Sequence, residues 1–327
     1  MLFQEMSILL LPGMEERAVS EKVAIIVLNY KTYGDTNECL DSLVKVTYPN
    51  VDVIVVDNAS GNGSLEQIEK HLVAANVSFG RVGVADVSAA AACPQRIVLF
   101  PSPENRGYSA GNNWGIRIAC AREADYVMIL NNDTIVEPGF LQPLVNQFAE
   151  DTATGAVGPR LVGLDGKIDR CCARGRMSFW GYCRWLRTLL RIFCPKLDVE
   201  DFFGYFYKGY AFDCPKCVNK LSGACFMLSQ SAIDKVGLLD ETPFLMLEEA
   251  ILAEKLTNAG LNSYVVPASS IIHKGSGTIS KEPSAFIQRK IKESRCYYFK
   301  NYRHWNVVQR WIVGLDFPRF GIGRKRR

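Results

Sequence analysis

No apolar run in the 327 residues approaches the roughly 18 to 20 needed to span a bilayer, which sets aside an integral membrane protein. The stretch after the first apolar run, LNYKTYGD at 28–35, holds no G-x-G-x-x-G. A nicotinamide oxidoreductase, which uses those glycines to seat a pyrophosphate on a helix N-terminus, is therefore set aside too. A secretory signal is missing: Glu5 precedes the short N-terminal apolar patch, no Lys or Arg does, and no small-residue cleavage site follows. Acids are absent from two places, 174–193 with its five arginines and the closing Arg324, Lys325, Arg326 and Arg327. Cysteine is plentiful at eleven, but the count is odd and Cys39, Cys120 and Cys225 sit in apolar stretches. Free buried thiols in a reducing compartment are expected rather than a disulfide framework, and with them a cytoplasmic location.

The composition is 48% hydrophobic and 22% charged with a net charge of +4, ordinary values that exclude disorder as the main state. Short Val- and Ile-rich runs, VAIIVL at 23–28 and VDVIVV at 51–56, read as buried strands, each followed by helical spacing. RIVLF at 96–100 and YVMIL at 126–130 repeat the pattern. This βαβα order predicts an α/β fold with a Rossmann-like, mostly parallel central sheet flanked by helices. Residues 74–95 read only as an insertion or surface hairpin, and a helix is expected over 114–122. The four strands run into Asn29 and Tyr30, Asp57, Asn105, and the triplet Asn131, Asn132, Asp133. Right-handed crossovers would bring these ends to one rim, where open α/β sheets bind ligands.

The residue types at that rim suggest a chemistry. A lone carboxylate such as Asp133 holds Mg²⁺ or Mn²⁺ poorly unless a substrate supplies further oxygens, which a diphosphate does. His273, before a Gly-Ser-Gly loop, can add an imidazole. Asp57 can accept the imide N–H of a pyrimidine, Tyr30 can lie against the base, and Gly107 and Gly111 can let backbone approach a nucleotide. Glu248 and Glu249 open a helix, where the dipole favours ionised acids, and a carboxylate there can take a proton from an acceptor hydroxyl.

In order along the chain, LNYK, VVDNAS, ENRGYSAGNN, LNNDTIVEPGF, LSGACF, GLLDE, FLMLEE and IIHKGSG resemble the inverting glycosyltransferases of family two, especially the rhamnosyltransferase-like branch. The resemblance spans most of residues 23–276. It implies the GT-A fold and a metal-dependent transferase moving one sugar from a nucleoside-diphosphate sugar, UDP- or dTDP-linked, to a hydroxyl of a glycan or lipid-linked glycan in cell-surface polysaccharide synthesis. It assigns nucleotide-sugar binding to Asn29, Tyr30, Asp57, Asn105, Gly107, Asn113, Asn131, Asn132, Ser222 and Gly223, and Mn²⁺ or Mg²⁺ to Asp133 and His273. The family's base falls on Glu249, with Glu248 in support. Three departures stand out: Asn131 occupies the first acid of the Asp-any-Asp motif, Glu249 replaces an aspartate, and Ile251 occupies a further acid position. They motivate the alternative of a catalytically degenerate relative that binds nucleotide sugar or glycan without turnover. The expected organisation is an arm over 1–20, a GT-A domain over 21–282 with an insertion at 163–220, and a helical basic segment over 283–327.

The 174–193 stretch reads as one basic amphipathic helix, with Phe179, Tyr182, Leu186, Leu189, Leu190 and Phe193 on one face and Arg184, Arg187 and Arg191 opposite. Together with the basic tail it suits an anionic membrane surface at the cytoplasmic leaflet. Basic patches also suit nucleic acid, but no recognised module accompanies them, so no nucleic-acid partner is expected. Cys214 and Cys217 with Cys171 and Cys172 lack a flanking zinc-ligand pattern and are left as free thiols. His71 and His304 are read as structural.

Overall fold

The computed structural model describes residues 20–275 and 284–314. The expected N-terminal arm, residues 276 and 277 of the glycine-rich loop and the basic tail at 324–327 lie outside the described residues. One ten-stranded sheet organises the rest. In chain order its strands are β1 (Val23–Asn29), β2 (Val51–Asp57), β3 (Phe79–Arg81), β4 (Ile97–Pro101), β5 (Tyr126–Asn131), β6 (Thr134–Val136), β7 (Thr154–Val162), β8 (Lys216–Val218), β9 (Cys225–Ser229) and β10 (Asn262–His273). Their spatial order is β3-β4-β2-β1-β5-β9-β7-β10-β6, with β8 also on β10.

The first five strands are mutually parallel, β9 runs antiparallel to both β5 and β7, and β6 returns antiparallel along β10. The near-continuous Val and Ile runs of β1, β2 and β4 follow from burial on both faces: Val23 to Val27, Ile54 to Val56 and Val98 to Phe100 are essentially inaccessible. The register sets the carboxyl ends flush, with Asn29 opposite Asp57, Leu28 opposite Asn131, and Asp57 opposite Pro101. The rim expected from the sequence is there.

Three local expectations change. Residues 74–95 hold the edge strand β3 and a short helix, Val87–Ala91, capped by Asp86, whose carboxylate accepts from Ser88 and Ala89 N–H. The helix expected over 114–122 begins earlier, as Tyr108–Ala121, which turns Ser109 to Asn113 from loop into its first turns. The 174–193 stretch is not one helix: it breaks at Cys183 between Phe179–Tyr182 and Arg184–Phe193. Arg174 and Arg176 precede both pieces and pair with Glu249 and Glu254, while Arg187 and Arg191 pair with Glu200. Two of the three arginines expected on the basic face are thus paired with one acid. Leu189, Ile192 and Phe193 are exposed, Phe193 at 76%.

A second apolar cluster joins Cys183, Ala250, Ile251, Tyr298, Phe299, Trp305 and Val313. Through it the C-terminal helices Ser284–Asn301 and Val307–Gly314 pack on the helix Glu248–Asn258. Ile251 lies in this dry cluster, which explains an apolar side chain there. No helix among the described residues is long and apolar enough to cross a membrane.

Candidate active site

A cavity of about 560 Å³ opens at the carboxyl ends of β1 and β5, with Leu28, Tyr30, Asn58, Asn105, Gly107, Tyr108, Asn131, Asn132, Asp133 and His273 on its wall. Phe244, Leu245, Phe286 and Ile287 form an apolar side. Seven of the residues singled out from sequence, Tyr30, Asn105, Gly107, Asn131, Asn132, Asp133 and His273, therefore meet around one space.

Chain reversal brings Asp133 and His273 together. Asp133 sits in the turn between β5 and β6, and the antiparallel pairing of β6 with β10 sets Thr134 opposite His273. The His273 Nε2 lies 3.4 Å from Asp133 Oδ1, and Lys274 N–H donates to the Asp133 carbonyl at 2.9 Å. The hydrogen bond to Asp133 raises the His273 pKa, against the opposing effect of burial. Among the described residues no group of three or more His, Cys, Asp or Glu could hold a metal. Asp133 and His273 thus offer two protein donors at most, a set that suits Mn²⁺ or Mg²⁺ completed by diphosphate oxygens and water and does not suit a closed structural site.

Beneath the rim runs a buried polar chain. Asn132 Nδ2 donates to Thr32 Oγ1 at 2.7 Å and Thr36 Oγ1 at 2.8 Å. Thr36 in turn donates to Asn29 Oδ1 at 2.9 Å, and Asn29 Nδ2 donates to Asp57 Oδ1 at 2.6 Å. Asp57 also accepts from the Ser60 hydroxyl at 2.5 Å and the Ser60 N–H at 3.1 Å. Three strand ends are tied into one network, which locks the Asp57 carboxylate and leaves it 8% exposed. Asn29 and Asp57 stand behind the cavity wall rather than on it. Thr32, Thr36 and Ser60 were missed from sequence; the i, i+4 spacing of the two threonines after β1 is the only signal.

The two glycines also serve the protein's own packing. Gly107 has φ 102, and a Cβ there would meet the Phe244 carbonyl oxygen at 2.3 Å. A Cβ on Gly111 would meet Leu28 Cδ1 at 2.6 Å. Asn113 is likewise committed: its Nδ2 donates to the Leu239 carbonyl and to Glu241 Oε1, both at 2.9 Å, and its Oδ1 accepts from Leu239 N–H. It lies off the cavity. Asn58, not singled out from sequence, donates to Asn105 Oδ1 and to the Gly107 carbonyl, while its own buried Oδ1 has no partner. An orphaned acceptor on a cavity wall is a place for a ligand donor.

Tyr108, on the cavity wall, donates its hydroxyl to the Gly223 carbonyl at 2.6 Å. Ser222 Oγ accepts from Ala224 N–H, so Ser222 and Gly223 form the turn facing Tyr108. Successive helix residues point about 100° apart, and Glu248 and Glu249 have different surroundings. Glu249 accepts from Arg174 Nη1 at 2.9 Å, and Arg174 Nη2 donates to the Leu221 carbonyl at 2.7 Å. Burial pushes the Glu249 carboxyl up, but Arg174 and then Lys220 outweigh it and leave it below its usual value. Lys220, bridged backbone to backbone with Arg174, is itself pushed down to about 8 by burial and then by Arg174. Glu248 instead has a buried Oε1 with no partner, and burial followed by Glu249 raises its carboxyl to about 8.

Comparison with known proteins gives the family and the fold. The family profile "Glycosyl transferase family 2" matches residues 23–236. The chain is 23% identical over 317 residues to the N-acetylglucosaminyl-diphospho-decaprenol L-rhamnosyltransferase of Mycobacterium tuberculosis, covering 90% of each. It is 28% identical over 140 residues to Glycosyltransferase GlyG of Streptococcus pneumoniae, covering 43% of this chain and 39% of that protein. Among solved structures it resembles GalNAc-T7 with UDP, GalNAc and Mn²⁺, at TM-score 0.56 and 13% identity over 86% of this chain and 49% of the other. It also resembles the mannosyltransferase PcManGT of Pyrobaculum calidifontis with GDP-Man and Mn²⁺, at TM-score 0.51 and 17% identity over 89% and 68%. These structures share the fold.

Proposed function

The chain belongs to glycosyl transferase family 2 and has a GT-A-like fold, and on that premise we propose that it moves a single sugar, with inversion, from a nucleoside-diphosphate sugar to a hydroxyl of a glycan or lipid-linked glycan. The observation that carries this reading is the cavity at the strand ends, where Asp133 and His273 face the rim that Tyr30, Asn58 and Asn105 complete. Tyr30 offers a ring for the base, and Asp57, held by three internal hydrogen bonds, has lone pairs left for a base N–H. Asp133 and His273 would hold Mn²⁺ or Mg²⁺, which when bound offsets charge on the leaving diphosphate. One acid of the Glu248–Glu249 step takes the acceptor proton as its oxygen attacks the anomeric carbon. The bond to the diphosphate breaks on the opposite face, and its electron pair leaves with the nucleotide.

The mycobacterial relative is named for a diphospho-decaprenol substrate, which supports a lipid-linked acceptor here; a UDP- or dTDP-sugar donor and a role in surface polysaccharide complete the proposal. The exposed edge of Ile192, 59% accessible, and Phe193 supports docking on the cytoplasmic face of an anionic membrane more than the arginines do, since Arg187 and Arg191 are paired. Flotation with phosphatidylglycerol vesicles tests this: wild type floats and the Ile192→Ser/Phe193→Ser variant does not. Wild type that never floats overturns it.

The activity itself is tested by incubating the protein with Mn²⁺, UDP-, dTDP- and GDP-sugars and a diphospholipid-linked acceptor, then measuring free nucleotide and the anomeric configuration of the product. Transfer with inversion from one donor class is expected. Metal-dependent donor binding with no release from any donor favours the degenerate binder that Asn131, Glu249 and Ile251 suggest.

A further inference from the structure

The polar residues of the cavity come from the strand ends. Its apolar stretch, Phe244, Leu245, Phe286 and Ile287, comes from the turn before the acid pair and from the C-terminal helix Ser284–Asn301. Nucleotide and cation are assigned to the polar residues, which leaves the apolar stretch to the other substrate.

Two contacts fasten the turn and the helix to each other. Phe244 and Phe286 meet edge to face with ring centroids 5.5 Å apart, and Ser294 Oγ donates to the Leu245 carbonyl at 2.9 Å. From Leu245 the chain continues through Met246, 44% exposed, and Leu247 into the acid pair at Glu248 and Glu249. The apolar stretch thus leads along the chain from the cavity to the residues that would take the acceptor proton. Cations stand over its rings. Lys290 Nζ lies 5.5 Å from the Phe244 centroid and 5.8 Å from that of Phe286, and the Arg289 guanidinium lies 5.8 Å from the Phe286 centroid. At such distances the ring face attracts the charge and holds it beside the apolar surface. Among the described residues both cations pair with one acid, Glu293, at 3.0 Å for Lys290 and 3.9 Å for Arg289. Two cations against one carboxylate leave a positive charge over, and with Glu293 54% exposed these pairs are weak enough for another anion to displace. No Lys or Arg among the described residues lines the cavity itself.

Apolar surface beside surplus positive charge matches a lipid diphosphate, whose chain needs the one and whose phosphates need the other. Resting on the proposed lipid-linked acceptor, we propose that Phe244, Phe286, Arg289 and Lys290 form the subsite for the acceptor's anchor. Arg289 and Lys290 bind its diphosphate, and the first part of its chain lies on Phe244 and Phe286. The donor's diphosphate is met by a cation on Asp133 and the acceptor's by side chains of the C-terminal helix, so the two substrates do not compete for the same charge.

The test titrates farnesyl diphosphate into the full chain in EDTA, which closes the cation route to Asp133, with farnesol and inorganic diphosphate in parallel. Wild type is expected to bind farnesyl diphosphate at least about tenfold tighter than either of the others, since each of these lacks one of the two interactions. Arg289→Ser/Lys290→Ser is expected to lose about tenfold or more, as the loss of hydrogen bonds to a charged group does, and Phe286→Ser about fivefold or more. UDP, dTDP and GDP are titrated with Mn²⁺ as the check on folding, and the nucleotide that wild type binds should bind the double variant within about twofold. Farnesyl diphosphate that fails to bind wild type, binds the variants equally well, or binds no tighter than farnesol or inorganic diphosphate overturns the subsite and leaves the transferase reading intact. Wild type that binds no nucleotide overturns the transferase reading, and farnesyl diphosphate binding that persists there keeps the subsite as a lipid diphosphate site.

Discussion

Replacing Glu248 with glutamine should stabilise the free protein, by an amount that depends on pH in one direction only. The folded protein raises this carboxyl from 4.5 to about 8, because burial and then Glu249 disfavour its ionised form. A group whose folded pKa lies above its unfolded value gives its full stabilisation below the unfolded value and loses it as pH rises through the folded one. The wild type should therefore weaken from about pH 4.5 to about pH 8, a window that the neutral amide does not feel. The size of the shift corresponds to about 2–4 kcal/mol at pH 7 to 8 and under about 1 kcal/mol at pH 5. Urea denaturation of both proteins at pH 5, 7 and 8 and constant ionic strength reads it directly. The difference in stability should be small at pH 5 and grow toward pH 8. A difference that is flat with pH, or a variant less stable than wild type at pH 8, would refute the claim that burial beside Glu249 disfavours the ionised Glu248 carboxyl.

Arg174→Met should cost roughly 3–5 kcal/mol, since it strands the Glu249 carboxylate away from water, and adding Glu249→Gln should recover part of that loss. A double-mutant cycle by urea denaturation measures the coupling, and additive losses would mean that the pair is not a unit. Gly107→Ala should lower stability by about 2–3 kcal/mol, because its Cβ would sit 2.3 Å from the Phe244 carbonyl oxygen at a backbone φ of 102. Nucleotide binding, followed by calorimetry, should fall with it as the donor loop and the turn before Glu248 separate. An alanine variant as stable as wild type would show that this contact is slack.

The first half of the fold was legible because its strands are buried on both faces, so β1, β2, β4 and β5 read as unbroken Val and Ile runs with polar residues where each leaves the sheet. The parallel register then sets Asn29 level with Asp57 and Leu28 level with Asn131. Other features were hidden for physical reasons. The helix starting at Tyr108 opens on Ser109, Ala110 and Gly111, small residues that read as loop, and its early start is set by packing of Gly111 on Leu28. Arg174 and Arg176 carry no sign of their partners because these lie far off in sequence, Glu249 being 75 residues from Arg174 and Glu254 being 78 from Arg176, while Arg187 and Arg191 meet Glu200 only because the chain folds back after the helix. The acid pair is entered through left-handed Met246 and Leu247, a turn that no glycine announces. The apolar wall from Phe286 and Ile287 comes from a helix whose packing depends on the second apolar cluster rather than on any motif.

The central claim is that a nucleoside diphosphate is held at the carboxyl edge of the sheet through a cation on Asp133. Calorimetric titration of UDP, dTDP and GDP into wild type and Asp133→Ala, each with and without Mn²⁺, measures it most directly. The account predicts tight binding of one nucleotide by wild type only when Mn²⁺ is present, and a loss of at least tenfold in the variant. Equal affinity in both proteins, with or without the metal, would contradict it.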